Sequence, residues 1–436
     1  MKMNNKVISL IAAMVLTQST FAASVVTDRA WYLAGEAMKV SVTDDNALIT
    51  YAELCDMYGL AAGAVISLKG GKGTGIIELP SDLHSGYYVL SAYTRDNAHV
   101  SSRLVAVINP LHKSEDDDIK WVLADTSQAA ESGSWAEEKG TADLVGEKDV
   151  DVRETEGHII KARVKNVYDG NTFRGRDIRP SIAIVGKQIH YFEGKMVNDS
   201  IAVFYTYGIH GKQPLVLSAA SSTGVSLPIE MISPYATLLP KELPHLVFHY
   251  NRSEVEARSL DMQRHQFAIA PAKRELHFFV KQSGGAERGD YADYTAEEGV
   301  PLDYDETVFG NKPDLTYNLD EYRQFLTIRE VLLEYVNCVR NKKTDGVPQL
   351  FVRKEQESYN SSWPAMVLID GMPVIDIERL LNYDARRIHY INIYGGQYTF
   401  GNGVYNGILS FITRSGRLTN YPIERNMQYL VYDFPE

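Results

Sequence analysis

Short alternations of apolar and polar residues, with a period of two, recur along the first quarter of the chain. These and neighbouring strand-like runs lie at Ala37–Val42, Ala64–Leu68, Ile76–Leu79, Tyr87–Tyr93 and Val100–Ile108. Successive side chains of a strand point to opposite faces, so such runs predict strands with a buried face. Glycine-rich turns separate them, and this spacing predicts an antiparallel β-sandwich over residues 24–110.

The pattern returns between residues 157 and 239, where it predicts a second β-sandwich. Its strand-like runs lie at Ile159–Val164, Ser181–Val185, Ile201–Tyr207 and Leu215–Ala219. The stretch 111–156 between the sandwiches is acidic and contains Ser, Gly and Ala, which predicts a solvated connector. A calcium site is the alternative for its run Glu115–Asp118, although the residue spacing of an EF-hand loop is not found there.

From residue 318 onward a helical pattern mixes with strand patterns. Apolar residues recur near a 3.6-residue period between Asp320 and Arg340, which predicts a helix capped by Asn318 or Asp320. Strand-like runs follow at Gln349–Arg353, Ala365–Ile369, Ile388–Ile393 and Gly407–Ile412, with a short helix at Ile377–Leu381. Residues 318–418 are therefore predicted to form a small α+β domain. A mixed connector (240–317), with a strand at Glu275–Val280, precedes it, and a C-terminal tail (419–436) follows.

The N-terminus has the order of a secretory signal peptide. Lys2 and Lys6 precede the apolar stretch Val7–Leu16, and mostly small residues continue to Ala23. This order predicts export, with cleavage after Ala22 or Ala23 (signal peptide 1–23). The apolar stretch is shorter than the roughly 20 residues of a membrane-spanning helix, so no transmembrane segment is expected in the mature chain.

Composition narrows the class of partner. The 436 residues carry a formal net charge of −12 and include 27 tyrosines. Tyrosine suits half-buried sheet positions, which favours a mainly β chain. A net negative chain repels a phosphate backbone, so nucleic acid is not expected as a partner.

Sequence motifs for catalysis are not found. The chain has no Gly-x-Ser-x-Gly, His-Glu-x-x-His or Walker A pattern. The run Gly70–Gly75 precedes a strand-like segment, which favours a turn over the alternative of a phosphate loop. His245 and His249 would share a face in a helix or a strand, with a metal pair as the alternative to surface histidines. No catalytic, cofactor-binding or metal-ligating residue is predicted, and no cofactor.

The two cysteines, Cys55 and Cys338, are interpreted as small buried apolar residues. A long-range disulfide is the alternative in an oxidising compartment.

One segment resembles a known sandwich domain. The runs Thr27–Glu36, Leu79–Pro80 and Ser85–Thr94 contain Tyr-x-x-Gly-Glu and Gly-Tyr-Tyr-x-Leu elements. Together they resemble the macroglobulin-type MG2 domain over about residues 25–109. Thioester-bearing macroglobulins carry Cys-x-x-Gln, and neither Cys55 nor Cys338 begins such a motif, so covalent protease trapping is not implied.

A second resemblance covers residues 318–418. The order and spacing of Val367–Val374, Ile388–Tyr394, Tyr398–Gly401 and Gly407–Gly416 resemble the plug domain of TonB-dependent receptors. A large barrel follows the plug in those receptors, whereas 20 residues follow Gly416 in this sequence. The resemblance therefore implies a plug-like domain without its barrel, a combination similar to envelope proteins of the Bacteroidota.

These observations predict a mainly β fold, with two immunoglobulin-like β-sandwiches followed by a small α+β plug-like domain. The expected function is that of an exported, non-enzymatic binding or scaffolding protein of the cell envelope, in the periplasm or associated with the outer membrane. A protein partner is expected, such as an outer-membrane barrel or a secretion component. The alternatives are a component of a split TonB-dependent uptake or secretion system, and a hydrolase whose carboxylates meet only in space.

Overall fold

The computed structural model describes residues 24–45, 47–95, 100–110, 118–129, 144–145, 154, 157–186, 190–264, 310–344, 346–353, 363–400, 403–416, 418 and 421–435. The expected signal peptide (1–23), the expected strand Glu275–Val280 and most of the acidic run Glu115–Asp118 lie outside the described residues.

The described residues form thirty strands. The first fifteen are β1 (Ser24–Thr27), β2 (Trp31–Leu33), β3 (Ala37–Thr43), β4 (Ile49–Cys55), β5 (Leu60–Ser67), β6 (Lys72–Glu78), β7 (Gly86–Tyr93), β8 (Val100–Ile108), β9 (Asp118–Trp121), β10 (Gln128–Ala129), β11 (Leu144–Val145), β12 (His158–Val164), β13 (Val167–Tyr168), β14 (Asn171–Thr172) and β15 (Ile178–Ile184). The others are β16 (His190–Glu193), β17 (Lys195–Met196), β18 (Ile201–Thr206), β19 (Gly211–Ser221), β20 (Ile229–Ile232), β21 (Leu239–Pro240), β22 (Val247–Tyr250), β23 (Leu315–Asn318), β24 (Val339–Thr344), β25 (Val347–Val352), β26 (Met366–Ile369), β27 (Met372–Pro373), β28 (Ile388–Phe400), β29 (Gly403–Thr413) and β30 (Gln428–Phe434).

Helices are few and short by comparison. The described α-helical segments are α1 (252–264), α2 (Ile328–Glu334) and α3 (Ile377–Leu381). Short 3-10 helices cover Gly175–Asp177, Leu319–Glu321 and Ala385–Arg387. The predicted mainly β fold class is therefore confirmed. In the described part of the chain, no helix is both long and apolar enough to cross a membrane.

The chain divides into two compact units. The first comprises Met1–Thr155, Tyr235–Ala268 and Pro435–Glu436, and the second comprises Glu156–Pro234 and Ile269–Phe434. Each unit contains one β-sandwich, and each is described separately below.

In the first unit, a five-stranded sheet (order β2-β8-β7-β4-β5) faces a three-stranded sheet (β1-β3-β6). Strand β3 shows how the sequence builds this core. Its residues Met38, Val40 and Val42 are buried between the sheets, whereas the residues that alternate with them are more exposed. The predicted turn at Gly70–Gly75 is found at Gly70 and Gly71, which have φ values of +59° and +74°, whereas the rest of that run is already part of β6.

The second face of the five-stranded sheet is also covered. Trp31 and Tyr87 on that face pack against Leu246 and Phe248, which precede and form part of β22. Strand β22 pairs with β9 and β10 in a separate small sheet. The segments 111–156 and 240–317, predicted as connectors, therefore contain strands, because their apolar residues complete this second core.

Helix α1 is attached to the same face by Arg258. Its guanidinium lies 3.6 Å from the ring centre of Trp31, and its Nη2 donates to Glu36 at 2.6 Å. The Arg258 and Glu36 side chains are 16% and 9% exposed, so water screens this ion pair only weakly.

A buried carboxylate holds the segment that precedes β21. Glu53 on β4 is fully buried and accepts hydrogen bonds from the backbone N–H of Thr237 and Leu238 and from the Tyr93 hydroxyl. Burial raises the pKa of Glu53, and these three donors oppose that rise. Glu53 therefore binds the backbone at Thr237 and Leu238 to strand β4.

In the second unit, the sandwich consists of the sheets β17-β18-β12-β20 and β16-β15-β19-β30. Strand β30 pairs antiparallel with β19 over seven residue pairs, from Gly211–Phe434 to Leu217–Gln428. Tyr432 and Phe434 of β30 are buried in the sandwich core. The segment 419–436, predicted as a tail, therefore supplies an edge strand, because its alternating aromatic residues fill that core.

A five-stranded mixed sheet (β23-β28-β29-β26-β27) and helices α2 and α3 form the rest of the second unit, which we call the plug-like part solely because its sequence predicts a plug-like domain. Its core contains Ile328, Leu380 and Phe411, and the same core includes Val216 and Tyr429 from the sandwich. The sandwich and the plug-like part therefore share one continuous apolar core.

The prediction of one helix from Asp320 to Arg340 is wrong. The structure has a 3-10 turn at Leu319–Glu321, the seven-residue helix α2 and strand β24 in this stretch. Thr327 starts α2 in a capping box with Glu330, whose backbone N–H is bound by the threonine hydroxyl. Asn318 does cap a helical turn, since its side chain accepts from the Asp320 N–H, but that turn is the short 3-10 segment.

The Asp370–Gly371 turn of the plug-like sheet contains a second buried carboxylate. Asp370 has φ of +46° and accepts from the Thr413 N–H at 2.8 Å, the Thr413 hydroxyl at 2.5 Å and the Leu418 N–H at 2.7 Å. Burial raises the pKa of Asp370 to about 6. This carboxyl group joins the end of β26 to the end of β29 and to the chain beyond it.

Candidate functional site

The candidate site begins with small residues on the outer face of a sandwich sheet in the second unit. Ile182 of β15 and Leu217 of β19 point into the sandwich core, so their neighbours Ser181 and Ser218 point outward. These two serines are paired across the strands, and their Oγ atoms are 2.6 Å apart. Their small side chains, together with that of Ala220, leave space above the sheet.

That space is a cavity of about 220 Å³. The plug-like part of the same unit forms its other walls, through the hairpin β24–β25, strand β26 and the segment 373–377. The turn at Ser221–Gly224 closes one side, where Gly224 lies against Gln349 of the hairpin. Trp363, whose side of the cavity is open to solvent, is 45% exposed.

One wall of the cavity is polar and aromatic. It contains Arg179 from β15, Tyr191 from β16 and Tyr405 from β29. The hydroxyl groups of Tyr191 and Tyr405 hydrogen-bond to one another, and Ser181 hydrogen-bonds to Tyr191. The Arg179 guanidinium lies 5.8 Å from the ring centre of Tyr405.

Burial raises the pKa of both Tyr191 and Tyr405, and the carboxylate of nearby Glu193 raises them further. Arg179 acts in the opposite direction on Tyr405 and lowers its pKa. Since burial dominates, both phenols stay protonated at neutral pH and offer neutral hydrogen-bonding groups. Glu193 does not line the cavity. Among the described residues that do, Arg179 is the one that carries a charge.

The opposite wall is apolar. It is formed by Val347 and Leu350 of the hairpin and by Val367, Val374 and Ile377 of the plug-like part. A cavity with one apolar wall and a few convergent polar groups is the usual form of a small-molecule site. The arrangement is suited to binding, and the groups named above form the candidate site.

The residues singled out in the sequence lie elsewhere. Cys55 is buried in β4 and Cys338 is half-buried beside Tyr317, and both are free thiols. Burial raises the pKa of each thiol, which keeps it protonated and unreactive. His245 and His249 are exposed, and the described residues contain no group of three or more His, Cys, Asp or Glu placed to hold a metal ion.

Sequence reasoning did not identify the cavity residues. Arg179 and Tyr405 are more than 200 positions apart, and no motif connects them. The single local signal is the run of small or polar residues at outward positions of β15 and β19, where a covered sheet face would ordinarily carry larger apolar side chains.

Comparison with known proteins gives no family. No family model matches the chain, and no curated protein matches it. Among solved structures, a biofilm-associated protein (BSP domain) is similar with a TM-score of 0.17 and 12% identity, over 52% of this chain and 30% of that chain. Trypsin-activated alpha-2-macroglobulin from Escherichia coli has a TM-score of 0.19 and 12% identity, over 49% of this chain and 16% of that chain.

A protein from Corynebacterium diphtheriae, described as membrane-anchored, has a TM-score of 0.17 and 10% identity, over 51% of this chain and 59% of that chain. The chain thus spans less than two thirds of the length of each of these three proteins. The structural neighbours include macroglobulin-like proteins, at TM-scores too low to place the chain in a family or to assign it a function.

Proposed function

We propose that the chain is an exported, non-enzymatic binding or scaffolding protein of a bacterial cell envelope that associates with an outer-membrane complex. The observation that carries the binding role is the cavity between the sandwich sheet and the plug-like part of the second unit. Its apolar wall, its paired tyrosines and Arg179, the one cation among the described lining residues, are groups that hold a ligand.

The envelope location is supported by the sequence. Residues 1–23 have the order of a signal peptide, and residues 318–418 resemble the plug of TonB-dependent receptors, as in envelope proteins of the Bacteroidota. These resemblances support a protein partner at the outer membrane, such as a barrel or a secretion component.

The test is recovery of the tagged full chain from a native envelope fraction, with its partners identified by mass spectrometry. The matched control is the same chain beginning at Ser24 behind a new initiator methionine, which removes the export signal and leaves every described residue in place. We expect the exported chain to co-purify with one outer-membrane protein at a fixed stoichiometry and the control to recover none. Retention of the full chain in the cytoplasm, or identical recovery for both chains, would contradict the proposal.

A further inference from the structure

We propose that the cavity binds a small organic acid whose carboxylate lies against Arg179 and whose apolar portion lies against the hairpin β24–β25. This inference deepens the proposed binding function and rests on it only in treating the cavity as a binding site. It names the chemical class of the ligand, which the fold alone does not.

The charged residues that line the cavity determine the sign of the charge that the ligand carries. The whole chain has a formal net charge of −12, yet the described lining contains no Asp or Glu and one Arg. No ion pair of Arg179 is found among the described residues; its guanidinium hydrogen-bonds to the Tyr405 hydroxyl and lies near the Tyr405 ring, while the Glu193 carboxylate lies near the same tyrosines outside the cavity lining. A guanidinium in such a site is matched by a planar carboxylate, which accepts two parallel N–H donors.

The hydroxyl groups beside Arg179 also suit a ligand that presents carboxylate oxygens. Ser181, Ser218, Tyr191 and Tyr405 form a hydrogen-bonded row of hydroxyl groups on the wall that carries Arg179, and the three bonds within the row leave at most one of their four protons for a ligand. A hydroxyl group that donates to a carboxylate oxygen forms a charge-assisted hydrogen bond, which is stronger than a neutral one. This wall therefore supplies one cation and at most one hydroxyl donor at one end of the cavity.

The volume of the cavity and its apolar wall indicate the size and the polarity of the rest of the ligand. A volume of about 220 Å³ is smaller than the roughly 300–1,000 Å³ of sites for drug-sized molecules. Val347, Leu350 and Val374 offer no hydrogen-bonding side chain, so they favour an apolar body such as one ring or a short aliphatic chain. A free acid and the C-terminal residue of a peptide both present this chemistry.

The experiment compares acids with their uncharged amides by titration calorimetry on the full-length protein. The free pair is phenylacetate and phenylacetamide, and the peptide pair is a short peptide ending in leucine with a free or an amidated C-terminus. We expect an acid to bind at least about tenfold more tightly than its amide, since a hydrogen bond to a charged group is the stronger one. The pair that binds more tightly identifies the source of the carboxylate.

Variants assign the binding to the cavity. Arg179→Gln is expected to lower the affinity for the acid by about tenfold to a hundredfold and to leave the affinity for the amide unchanged. Arg179→Lys is expected to retain part of the affinity for the acid. Arg176→Gln is the matched control, since this substitution removes the same charge from an exposed side chain beside Asp177. Ala220→Leu places bulk in the cavity and is expected to abolish binding of acid and amide alike.

Three results would overturn the proposal: equal affinity for acid and amide, an unchanged affinity in Arg179→Gln, or no binding of either acid at millimolar concentration. None of these affects the envelope pull-down. Failure of the ligand class and failure of the proposed envelope function are therefore separate outcomes.

Discussion

Replacement of Asp370 by Asn tests how burial controls the stability of the second unit. Asp370 is 1% exposed and its carboxylate receives three donors, from Thr413 and Leu418. Its φ of +46° lies in the left-handed region, which Asn tolerates better than most residues. Asp370→Asn therefore keeps the size and backbone of the turn and changes the charge and one acceptor atom.

The magnitude follows from the pKa of Asp370, which burial raises from 3.8 to about 6. Between these values the folded state keeps a proton that the unfolded state has lost. The contribution of Asp370 to the free energy of unfolding is therefore greatest below about pH 4 and is lost as the pH rises through about 6. A difference of about two pH units corresponds to about 3 kcal/mol.

The amide variant behaves differently because it does not titrate. Its NH₂ group faces N–H or O–H donors that the carboxylate oxygen now satisfies, and leaving such a buried donor unpaired costs about 1–3 kcal/mol. We expect Asp370→Asn to be less stable than the native protein at about pH 4. Near pH 7.5, where the native carboxylate is ionised, the variant is expected to be at least as stable as the native protein.

Urea unfolding followed by circular dichroism, at about pH 4, 5, 6 and 7.5, measures this difference. Burial also raises the pKa values of Glu53 and Glu424, and their effects cancel when variant and native protein are compared at each pH. Asp376→Asn is the control, since Asp376 is an exposed N-cap of α3 and Asn caps equally well. A difference between native protein and Asp370→Asn that stays constant within about 0.5 kcal/mol across this range would refute the reasoning.

Three further predictions concern single contacts. Glu53→Gln is expected to lower the free energy of unfolding of the first unit by about 1–3 kcal/mol at about pH 4 and by less at neutral pH, measured by urea titration, because the new amide group faces buried donors and burial raises the pKa of the native carboxyl. Arg258→Ala removes the contact with Trp31 and the ion pair, and hydrogen exchange should show faster amide exchange across 252–264, with Arg258→Lys intermediate. Thr327→Ala should lower the unfolding free energy by about 1 kcal/mol, whereas Thr327→Ser should leave it unchanged in the same titration.

The strands were predictable because each sandwich has a local signature. The alternation at β3 corresponds directly to its alternating burial, and Gly70–Gly71 forms the turn that its residues favour. The pattern was less useful for β9 and β22, whose apolar residues are few. The burial of β22 depends on the second face of a sheet formed by residues more than 100 positions away in the chain, and β9 pairs with β22 across a similar separation.

The predicted helix at 320–340 shows where periodicity misleads. Tyr322 and Phe325 lie at helical spacing, but in the structure both pack against Tyr335, with ring centres 4.5 Å and 5.4 Å from that of Tyr335. The capping box at Thr327 fixes the start of α2, since its hydroxyl group binds a backbone N–H that a continuous helix would use internally. A cap motif inside a periodic stretch is the local signal that should have shortened this helix.

The cavity could not be predicted because it is a property of packing between distant segments. Its polar wall depends on three sandwich strands and one plug-like strand, and its apolar wall on the hairpin β24–β25 and other residues of the plug-like part. The shared core of the second unit, in which Val216 and Tyr429 pack with Phe411, keeps these walls at a fixed separation. A ligand that contacts both walls would therefore also stabilise the contact between the sandwich and the plug-like part, since any ligand that binds the folded form alone shifts unfolding by mass action. Binding and the stability of this unit are thus thermodynamically linked. A deletion of 318–418 would remove part of the core that the sandwich shares together with the site, whereas a point change such as Arg179→Gln alters the site alone.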